Sequence, residues 1–593
     1  MSSGKRVQQF GELQEIPFHH KKPRNSSPNP TTNTPDTTIL GDVISASTST
    51  DKEIAIAGPT LATGDLSPLD RDVEQHGGAQ RTALGNAAYD DGVELYNAAM
   101  IGDIEYIRSY LDDEMDVTVN ARGGFYGNAL QAAAYRGEVG IMRLLLDNGA
   151  DIDAQGGEYG TALQIAAFNG NIGAIDLLLD RGADVDAHGG HYGNALQAAA
   201  ENDELEALRV LLDHGADVKA EGGKYGYALQ AAAYMGNVEA IELLLSYGVD
   251  IYVQGGKYGC ALQAAAYRGN IEAMKLLMRY GAGVDVEGGK YGHALQAAAY
   301  RGEVRAIRFL LEPGVSVYPR YEFDPDPRAN VHAQGGKYGQ ALQAAAYSGE
   351  VEAIRTLLDY GADINWNGGE YGNALYAAVN SGEVEAIKML LDHEASDFTQ
   401  LALLENEVNV DAQSKKYGHA LQTAASSGKL DVMRILLERG ADVYARSGQY
   451  GHALQAAAYR GEVEAMQLLL DTGVDINVQG GDYGTALQAA AYSGEIKAMA
   501  FLLENGACVN VQGGKFGTAL QASLVPIDHV ALKVHYALYT AQMLLDHGAD
   551  ITAHVPGSEY GDAISAAKDL WRHDTAKLSQ FMKVLESRGW KDE

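Results

Sequence analysis

The sequence has few of the residues that build covalent or metal-bound frameworks. Only two of its 593 residues are cysteines, Cys260 and Cys508, and neither lies in a CxxC or CxxH pair. These facts exclude a disulfide framework and a zinc finger. No apolar run reaches the length of about 18 residues that a membrane-spanning helix needs, and the N-terminus has no apolar segment typical of a secretory signal. We therefore expect an intracellular protein that makes no contact with a membrane.

Positive charge is also scarce. The chain has 45 Lys and Arg residues against 79 Asp and Glu residues, which gives a formal net charge of −34. Proteins that bind nucleic acid or anionic membranes need a positive surface to meet the phosphate groups. The charge balance therefore predicts no direct binding of nucleic acid or membrane.

Motifs of catalysis and of nucleotide binding are missing. The frequent GGKYG lacks both the spacing and the Ser or Thr of a phosphate-binding loop, and no HExxH or GxSxG motif occurs. The adjacent His19 and His20 are a weak metal site. We therefore expect a protein that is not an enzyme and that holds no cofactor or metal.

The first 90 residues differ from the rest of the chain. They are rich in Pro, Ser, Thr and Asn and poor in large apolar side chains. Such a segment buries too little apolar surface to offset its ordering entropy, so we predict a disordered tail. Within it, Lys21, Lys22 and Arg24 form a basic cluster that resembles a short nuclear import signal. A solvated charge patch is the alternative interpretation.

What the remaining sequence has in abundance is repetition. A YGxALQ unit returns every 33 residues over most of the chain, which indicates a repeat architecture. Each unit contains a short ALQAAA helix, a glycine, a second helix with Leu at helical spacing, and a glycine-rich turn. Helices this short are not stable alone, so each unit must stack on its neighbours. The aromatic residue of the unit stands at Tyr126, Tyr159, Tyr192, Tyr225, Tyr258, Tyr291, Tyr338, Tyr371, Tyr417, Tyr450, Tyr483 and Phe516.

A helix-turn-helix unit that ends in LLLDxGADV resembles the ankyrin repeat. The resemblance covers roughly residues 93–590 and rests on segments such as LLLDNGADIDAQ at 144–155 and LLLDRGADVDAH at 177–188. The family's T-P-L-H-x-A signature is changed to NALQAA at 128–133, where Gln replaces His and can still hydrogen-bond the neighbouring loop. This GGxYGxALQAAA variant resembles arrays of filamentous fungi, which are often attached to nucleotide-dependent signalling proteins.

The resemblance implies an all-α ankyrin-repeat solenoid that follows the disordered tail at residues 1–90. We place an N-terminal capping repeat at 93–122, about twelve repeats at 123–556 and a C-terminal cap at 557–593. Insertions interrupt the period near 315–328, 393–407 and 522–535. They are either tolerated loops or marks of a binding face.

One position in the repeat combines an unusual charge with a regular spacing. Equivalent positions of a solenoid line up along one edge, and there we expect a separation of about 10 Å, one helix diameter. Lysine precedes the repeat tyrosine in four successive units, whereas Glu, His, Gln or Asp fills this position in other units, so folding does not require the lysine. The tyrosines either pack between adjacent tips or belong to the same surface. Together with two residues of the neighbouring insertion, the candidate partner-binding residues are Lys224, Lys257, Lys290, Lys337, Tyr225, Tyr258, Tyr291, Tyr338, Tyr321 and Phe323.

The sequence therefore predicts a non-enzymatic scaffold or adaptor that binds other proteins in the cytoplasm, with the nucleus as the alternative compartment. Two alternatives remain open. One is a nuclear coregulator that binds a transcription factor, and the other is the recognition half of a fungal signalling system that acts with a separate ATPase.

Overall fold

The architecture is a stack of paired helices. The computed structural model describes residues 83–112, 119–312, 328–393, 419–526 and 531–590. Over these ranges the chain forms 28 helices and no strand beyond isolated bridges. The predicted all-α repeat fold is thereby confirmed.

The odd-numbered helices are the first helix of each unit and the even-numbered helices are the second. In chain order they are α1 (Ala83–Ile101), α2 (Ile104–Asp112), α3 (Ala129–Arg136), α4 (Val139–Asp147), α5 (Ala162–Phe168), α6 (Ile172–Asp180), α7 (Ala195–Glu201), α8 (Leu205–Asp213), α9 (Ala228–Met235), α10 (Val238–Ser246), α11 (Ala261–Tyr267), α12 (Ile271–Arg279), α13 (Ala294–Arg301), α14 (Val304–Leu311), α15 (Ala341–Ser348), α16 (Val351–Asp359), α17 (Ala374–Ser381), α18 (Val384–Asp392), α19 (Ala420–Ser426), α20 (Leu430–Glu438), α21 (Ala453–Arg460), α22 (Val463–Asp471), α23 (Ala486–Ser493), α24 (Ile496–Glu504), α25 (Ala519–Ser523), α26 (Ala531–Asp546), α27 (Ala563–Leu570) and α28 (Thr575–Ser587).

The first helices form the centre of the stack. In α11 every residue from Ala261 to Tyr267 is buried, and the same holds for the ALQAAA segment of the equivalent helices. Alanine has no bulk beyond Cβ, so these helices approach one another closely. The second helices bury only one stripe, such as Ala273, Met274 and Leu277 in α12, and expose the other side.

The residue that precedes each first helix is its N-cap. Thr161 accepts a hydrogen bond from the backbone of Gln164, as a capping residue does. His293 and His452 occupy the same position before α13 and α21 and are buried. These two histidines are therefore helix-start residues.

At its two ends the described array begins with α1 and finishes with α28. The helix α1 begins at Ala83, earlier than the predicted start at Val93, so residues 83–90 are helical and do not belong to a disordered tail. This start is hard to recognise in the sequence because Gly92 interrupts the apolar pattern inside the helix. Glycine stands there because the backbone of Arg122 passes close to it. At the other end, Trp571 and Phe581 are fully buried and close the core.

Four predicted segments lie wholly or partly outside these ranges. They are the tail at 1–90 and the insertions near 315–328, 393–407 and 522–535. At the third insertion, α26 has 16 residues against nine in the equivalent helix α24.

Candidate functional site

Each repeat tip is a tight hairpin that only glycine permits. In the tip at residues 255–259, the N–H of Gly255 donates to the carbonyl of Gly259 at 3.0 Å. Gly256 has a φ of 62°, and a Cβ there would lie 2.2 Å from the carbonyl carbon of Tyr225 in the preceding tip. The second glycine of the pair is therefore required because successive tips touch backbone to backbone, whereas Ser447 replaces the first in the tip at 447–451.

The tips are joined to each other by a hydrogen-bond ladder. The N–H of Lys257 donates to the carbonyl of Lys224 at 3.0 Å, Lys290 donates to Lys257 at 2.9 Å, and Lys337 donates to Lys290 at 3.0 Å. The predicted spacing of about 10 Å is wrong at this edge. The tips approach one another until their backbones form hydrogen bonds and their rings stack.

A buried glutamine fixes each tip from below. The side chain of Gln263 accepts from the backbone N–H of Cys260 at 2.6 Å and donates to the carbonyls of Val286 and Gly292 in the next repeat, at 2.8 and 2.6 Å. The predicted bond from this glutamine to the neighbouring loop is thus present. Every unsatisfied group in this buried position would cost about 1–3 kcal/mol, so the glutamine holds consecutive repeats in register.

The tip tyrosines form a continuous stack. Ring centroids of Tyr258 and Tyr291 are 6.2 Å apart, as are those of Tyr291 and Tyr338. Tyr225 is 2 % exposed, and the other three are 1 % exposed. The packing interpretation is therefore correct for Tyr225, Tyr258, Tyr291 and Tyr338, which offer almost no surface to a partner.

A second aromatic row, which sequence reasoning missed, interleaves with the first. It consists of the aromatic residue that ends each AAAY segment. The ring centroids of Tyr267 and Tyr291 are 5.1 Å apart, and those of Tyr300 and Tyr338 in the next repeat are also 5.1 Å apart. The signal was available in the sequence, since this aromatic recurs nine residues after the tip tyrosine. The two rows make one aromatic band along the edge of the array.

The lysines lie on this band. The Nζ atoms of Lys224, Lys257 and Lys290 stand 4.7, 5.6 and 5.7 Å from the ring centroids of the tyrosines that follow them. Lys337 stands 5.3 Å from the ring of Tyr371. A cation at this distance from an aromatic face is held by the ring's quadrupole.

Carboxylates meet this row at its two ends. Glu201 Oε1 lies 2.7 Å from Lys224 Nζ, and Glu370 Oε2 lies 3.9 Å from Lys337 Nζ. A carboxylate is therefore a group that the row accommodates. These contacts are partly exposed, so they contribute little to stability.

Two arginines, also missed from sequence, add charge to the same band. The guanidinium carbons of Arg268 and Arg301 lie 5.0 and 5.3 Å from the ring centroids of Tyr234 and Tyr267. Both follow directly after an AAAY segment, and that recurrence is the signal that could have found them. We call Lys224, Lys257, Lys290, Lys337, Arg268 and Arg301 the cation strip.

The remaining predicted site residues lie outside the described ranges. They are Tyr321 and Phe323 of the insertion and Lys21, Lys22 and Arg24 of the tail, and their proposed roles stay predictions.

Burial is the main cause of the shifted pKa values of the tyrosines and of Cys260 in the array. Burial raises the pKa of Tyr126, Tyr192, Tyr291, Tyr338 and Tyr483 far above the ordinary phenol value, and neighbouring tyrosines add to the effect. Burial also raises the pKa of the Cys260 thiol, which disfavours the reactive thiolate. These tyrosines and this cysteine are therefore suited to packing rather than to proton transfer.

Lys429 is a structural exception among the lysines. Burial lowers its pKa, and its Nζ lies 3.1 Å from the carbonyl of Val379 and 2.6 Å from that of Asn380 at the end of α17. It bonds the last carbonyls of that helix, which are acceptors without a partner inside the helix.

The described part of the chain has no group of three or more His, Cys, Asp or Glu residues placed to hold a metal ion. In the same part of the chain, no helix is both long and apolar enough to cross a membrane.

Comparison with known families gives one consistent result. The family model for ankyrin repeats in three copies matches residues 95–189, 189–255, 253–320, 324–402 and 445–513. The model for a single ankyrin repeat matches residues 419–448. A search of curated proteins found no match to this sequence. Since the matched segments cover well over half of the chain and coincide with its stacked helix pairs, the chain belongs to the ankyrin repeat family.

Proposed function

We propose that this chain is a non-enzymatic scaffold that binds a partner protein along the cation strip. Ankyrin repeats generally mediate protein–protein interaction. The single observation that supports this location is a row of cations on the edge of an acidic chain, at a position that the fold leaves free to vary. Phe125, Glu158, His191, Gln449 and Asp482 fill the same position in other repeats.

Electrostatic contrast is the physical reason to place a partner there. A local positive surface on a chain of net charge −34 attracts and orients an acidic surface, while the rest of the array repels it. The described side chains of the array are largely used for stacking and capping, which supports binding rather than catalysis.

A charge-reversal experiment on the full chain tests this function. Lys224, Lys257, Lys290 and Lys337 are changed together to Glu. The matched control changes Lys275, Arg305, Arg355 and Lys388 to Glu, which applies the same charge change to the second helices of neighbouring repeats. We expect the free energy of unfolding of both variants to stay within about 1–2 kcal/mol of the parent, because these side chains are at least partly exposed.

Affinity capture from cells followed by mass spectrometry is the readout. Partners retained by the parent and by the control, but lost by the strip variant, support the proposal. If the folded strip variant retains every partner at the parent's level, the cation strip is not the binding surface.

A further inference from the structure

The spacing of the cation strip restricts what can bind to it. Successive tips are joined directly through their backbones, and the rings that follow the four lysines in sequence, from Tyr225 to Tyr338, are 5.9 to 6.2 Å apart. The Nζ of Lys337 lies over the next ring of the stack, Tyr371. The backbones of the lysines are therefore anchored at steps of about 6 Å, well below the helix diameter of about 10 Å. A ligand that meets all four must present its charges at the same step.

An extended polypeptide has this period. A β-strand rises about 3.3 Å per residue, and alternate side chains point to the same side, so residues i and i+2 are about 6.6 Å apart. Four acidic residues at alternate positions would span about 20 Å. Three tip-to-tip steps of the strip span about 18 Å, so the two rows stay nearly in register over their whole length.

An α-helical ligand fits less well. Residues i and i+4 of a helix are also about 6 Å apart along the axis, but each such step turns by about 40°. Over three steps the acidic side chains would turn by about 120° and leave the strip. An acid at every third position of an extended chain would be about 10 Å apart and would fall out of register after one step.

A protein segment suits this surface better than a nucleic acid. Single-stranded nucleic acids depend on aromatic rings on which their bases stack. The tip tyrosines under the lysines are no more than 4 % exposed, so they offer no such platform. The net charge of the chain would also repel a polyanion that extends beyond the strip.

Two carboxylates of this chain show how the lysines can hold the acidic groups of a ligand. Glu201 contacts Lys224, and Glu370 approaches Lys337, so a carboxylate is positioned at each end of the row. Lys257 and Lys290 lie over the first aromatic row, and Arg268 and Arg301 stack on the second.

We propose that the cation strip binds a partner segment in extended conformation that has an acidic residue at every second position. This inference rests on the proposed function and specifies the chemistry of the partner. The ligand's carboxylates face the lysines, and its intervening side chains point away from the array.

Peptides of one composition and different spacing test the inference. Three fluorescein-labelled peptides of thirteen residues each contain four Glu and nine Ser or Ala residues, with the Glu at every second, third or fourth position. Fluorescence anisotropy measures their affinity for the full chain at low salt. We expect the peptide with alternate Glu to bind roughly tenfold more tightly than the other two and to weaken as salt screens the contact.

A central double variant with a matched control locates the binding. Lys257→Glu with Lys290→Glu should weaken the alternate-Glu peptide by at least roughly tenfold. Lys275→Glu with Lys388→Glu, on α12 and α18, should leave its affinity unchanged. Thermal unfolding of both variants checks that the array remains folded.

Each other outcome overturns the inference in a distinguishable way. Equal affinity for the three peptides, lost in the central variant, contradicts the spacing but leaves the proposed function in place. Tightest binding of the peptide with Glu at every fourth position indicates a helical ligand. Tighter binding of a single-stranded oligonucleotide indicates a nucleic acid. If no peptide binds, the inference is wrong, and the capture experiment decides separately whether the scaffold function also falls.

Discussion

The central repeats, residues 222–372, and the C-terminal repeats, residues 447–523, build the same tip with different charges. In the central repeats the backbone N–H of Lys290 donates to the carbonyl of Lys257 at 2.9 Å. In the C-terminal repeats the backbone N–H of Asp482 donates to the carbonyl of Gln449 at 2.7 Å. Tyr450 and Tyr483 stack at 5.9 Å, close to the spacing of the central rings.

The difference lies in the residue before the aromatic. The central tips have four lysines there, whereas the C-terminal tips have Gln449, Asp482 and Lys515. Since the backbone hydrogen bond, the positive-φ glycine and an aromatic ring recur in both regions, this side chain is not what makes the tip fold. It is the position at which the two regions can differ in what they bind.

The largest expected effect is the loss of a stacked ring. Tyr291→Ala removes a side chain that contacts the rings before and after it, and we expect it to lower the free energy of unfolding by about 3–5 kcal/mol. Tyr483→Ala should cost a similar amount in the C-terminal repeats. Urea denaturation measures both, with Tyr280→Ala as an exposed control. A clearly smaller cost for Tyr483 would show that the two stacks are not equivalent.

Loss of the buried glutamine should come next. Gln263→Ala leaves the N–H of Cys260 and the carbonyls of Val286 and Gly292 without this partner, at an expected cost of about 2–4 kcal/mol. Gln455→Ala removes the matching bonds to Val478 and Gly484 and should cost about the same.

The control for the glutamine variants is Gln467→Ala. Gln467 is exposed on α22 and bonds only within its own helix to Asp471, so its loss should be nearly neutral. The register role would be contradicted if Gln263→Ala were as mild as this control.

Alkaline pH should destabilise both regions. The pKa values of Tyr291 and Tyr483 are raised in the folded state by burial, while an unfolded tyrosine ionises near pH 10. The folded state therefore binds more protons above pH 10, so stability present below that pH is lost as the pH rises. Each such tyrosine contributes a slope of up to about 1.4 kcal/mol per pH unit.

Unfolding measured between pH 8 and pH 11 checks this dependence. Tyr291→Phe and Tyr483→Phe should each reduce the loss above pH 10 by a similar amount. An unchanged slope in both variants would assign the alkaline loss to other groups.

The smallest expected effect on stability is a transfer of charge between the regions. Gln449→Lys with Asp482→Lys would give the C-terminal tips three consecutive lysines, and we expect the free energy of unfolding to change by less than about 1 kcal/mol. The alternate-Glu peptide should then gain a second, weaker site, which anisotropy detects in a chain whose central lysines have been changed to Glu. Absence of that gain would show that the arginines of the central strip are also needed.

The repeat architecture could be predicted from the sequence because the same local pattern of residues recurs in each unit. The period of 33, the two short helices, the glycine turns and the inter-repeat bond of the glutamine all follow from residues within a single unit and the next. The start of α1 at Ala83 was missed because Gly92 interrupts the apolar pattern, although a close backbone approach is the reason for that glycine.

Only part of the candidate site could be predicted from the sequence. The lysines and tyrosines could be found because they recur at one position, and their alignment along an edge follows from stacking alone. The second aromatic row and the arginines Arg268 and Arg301 recur as regularly, but nothing local says that they reach the same surface. Their meeting depends on how far the tips of consecutive repeats close up.

By itself, the sequence determined that this protein is a stack of ankyrin repeats and which residue of each tip is free to vary, because both depend on a local pattern repeated many times. Only the tertiary structure decided that the tyrosines are buried, that the tips lie about 6 Å apart rather than about 10 Å, and that lysines and arginines share one aromatic band. Those features arise between repeats, where backbone hydrogen bonds and ring stacking draw one edge of the array together. The sequence pattern of one repeat does not determine the distance between its tip and the tip of the next repeat.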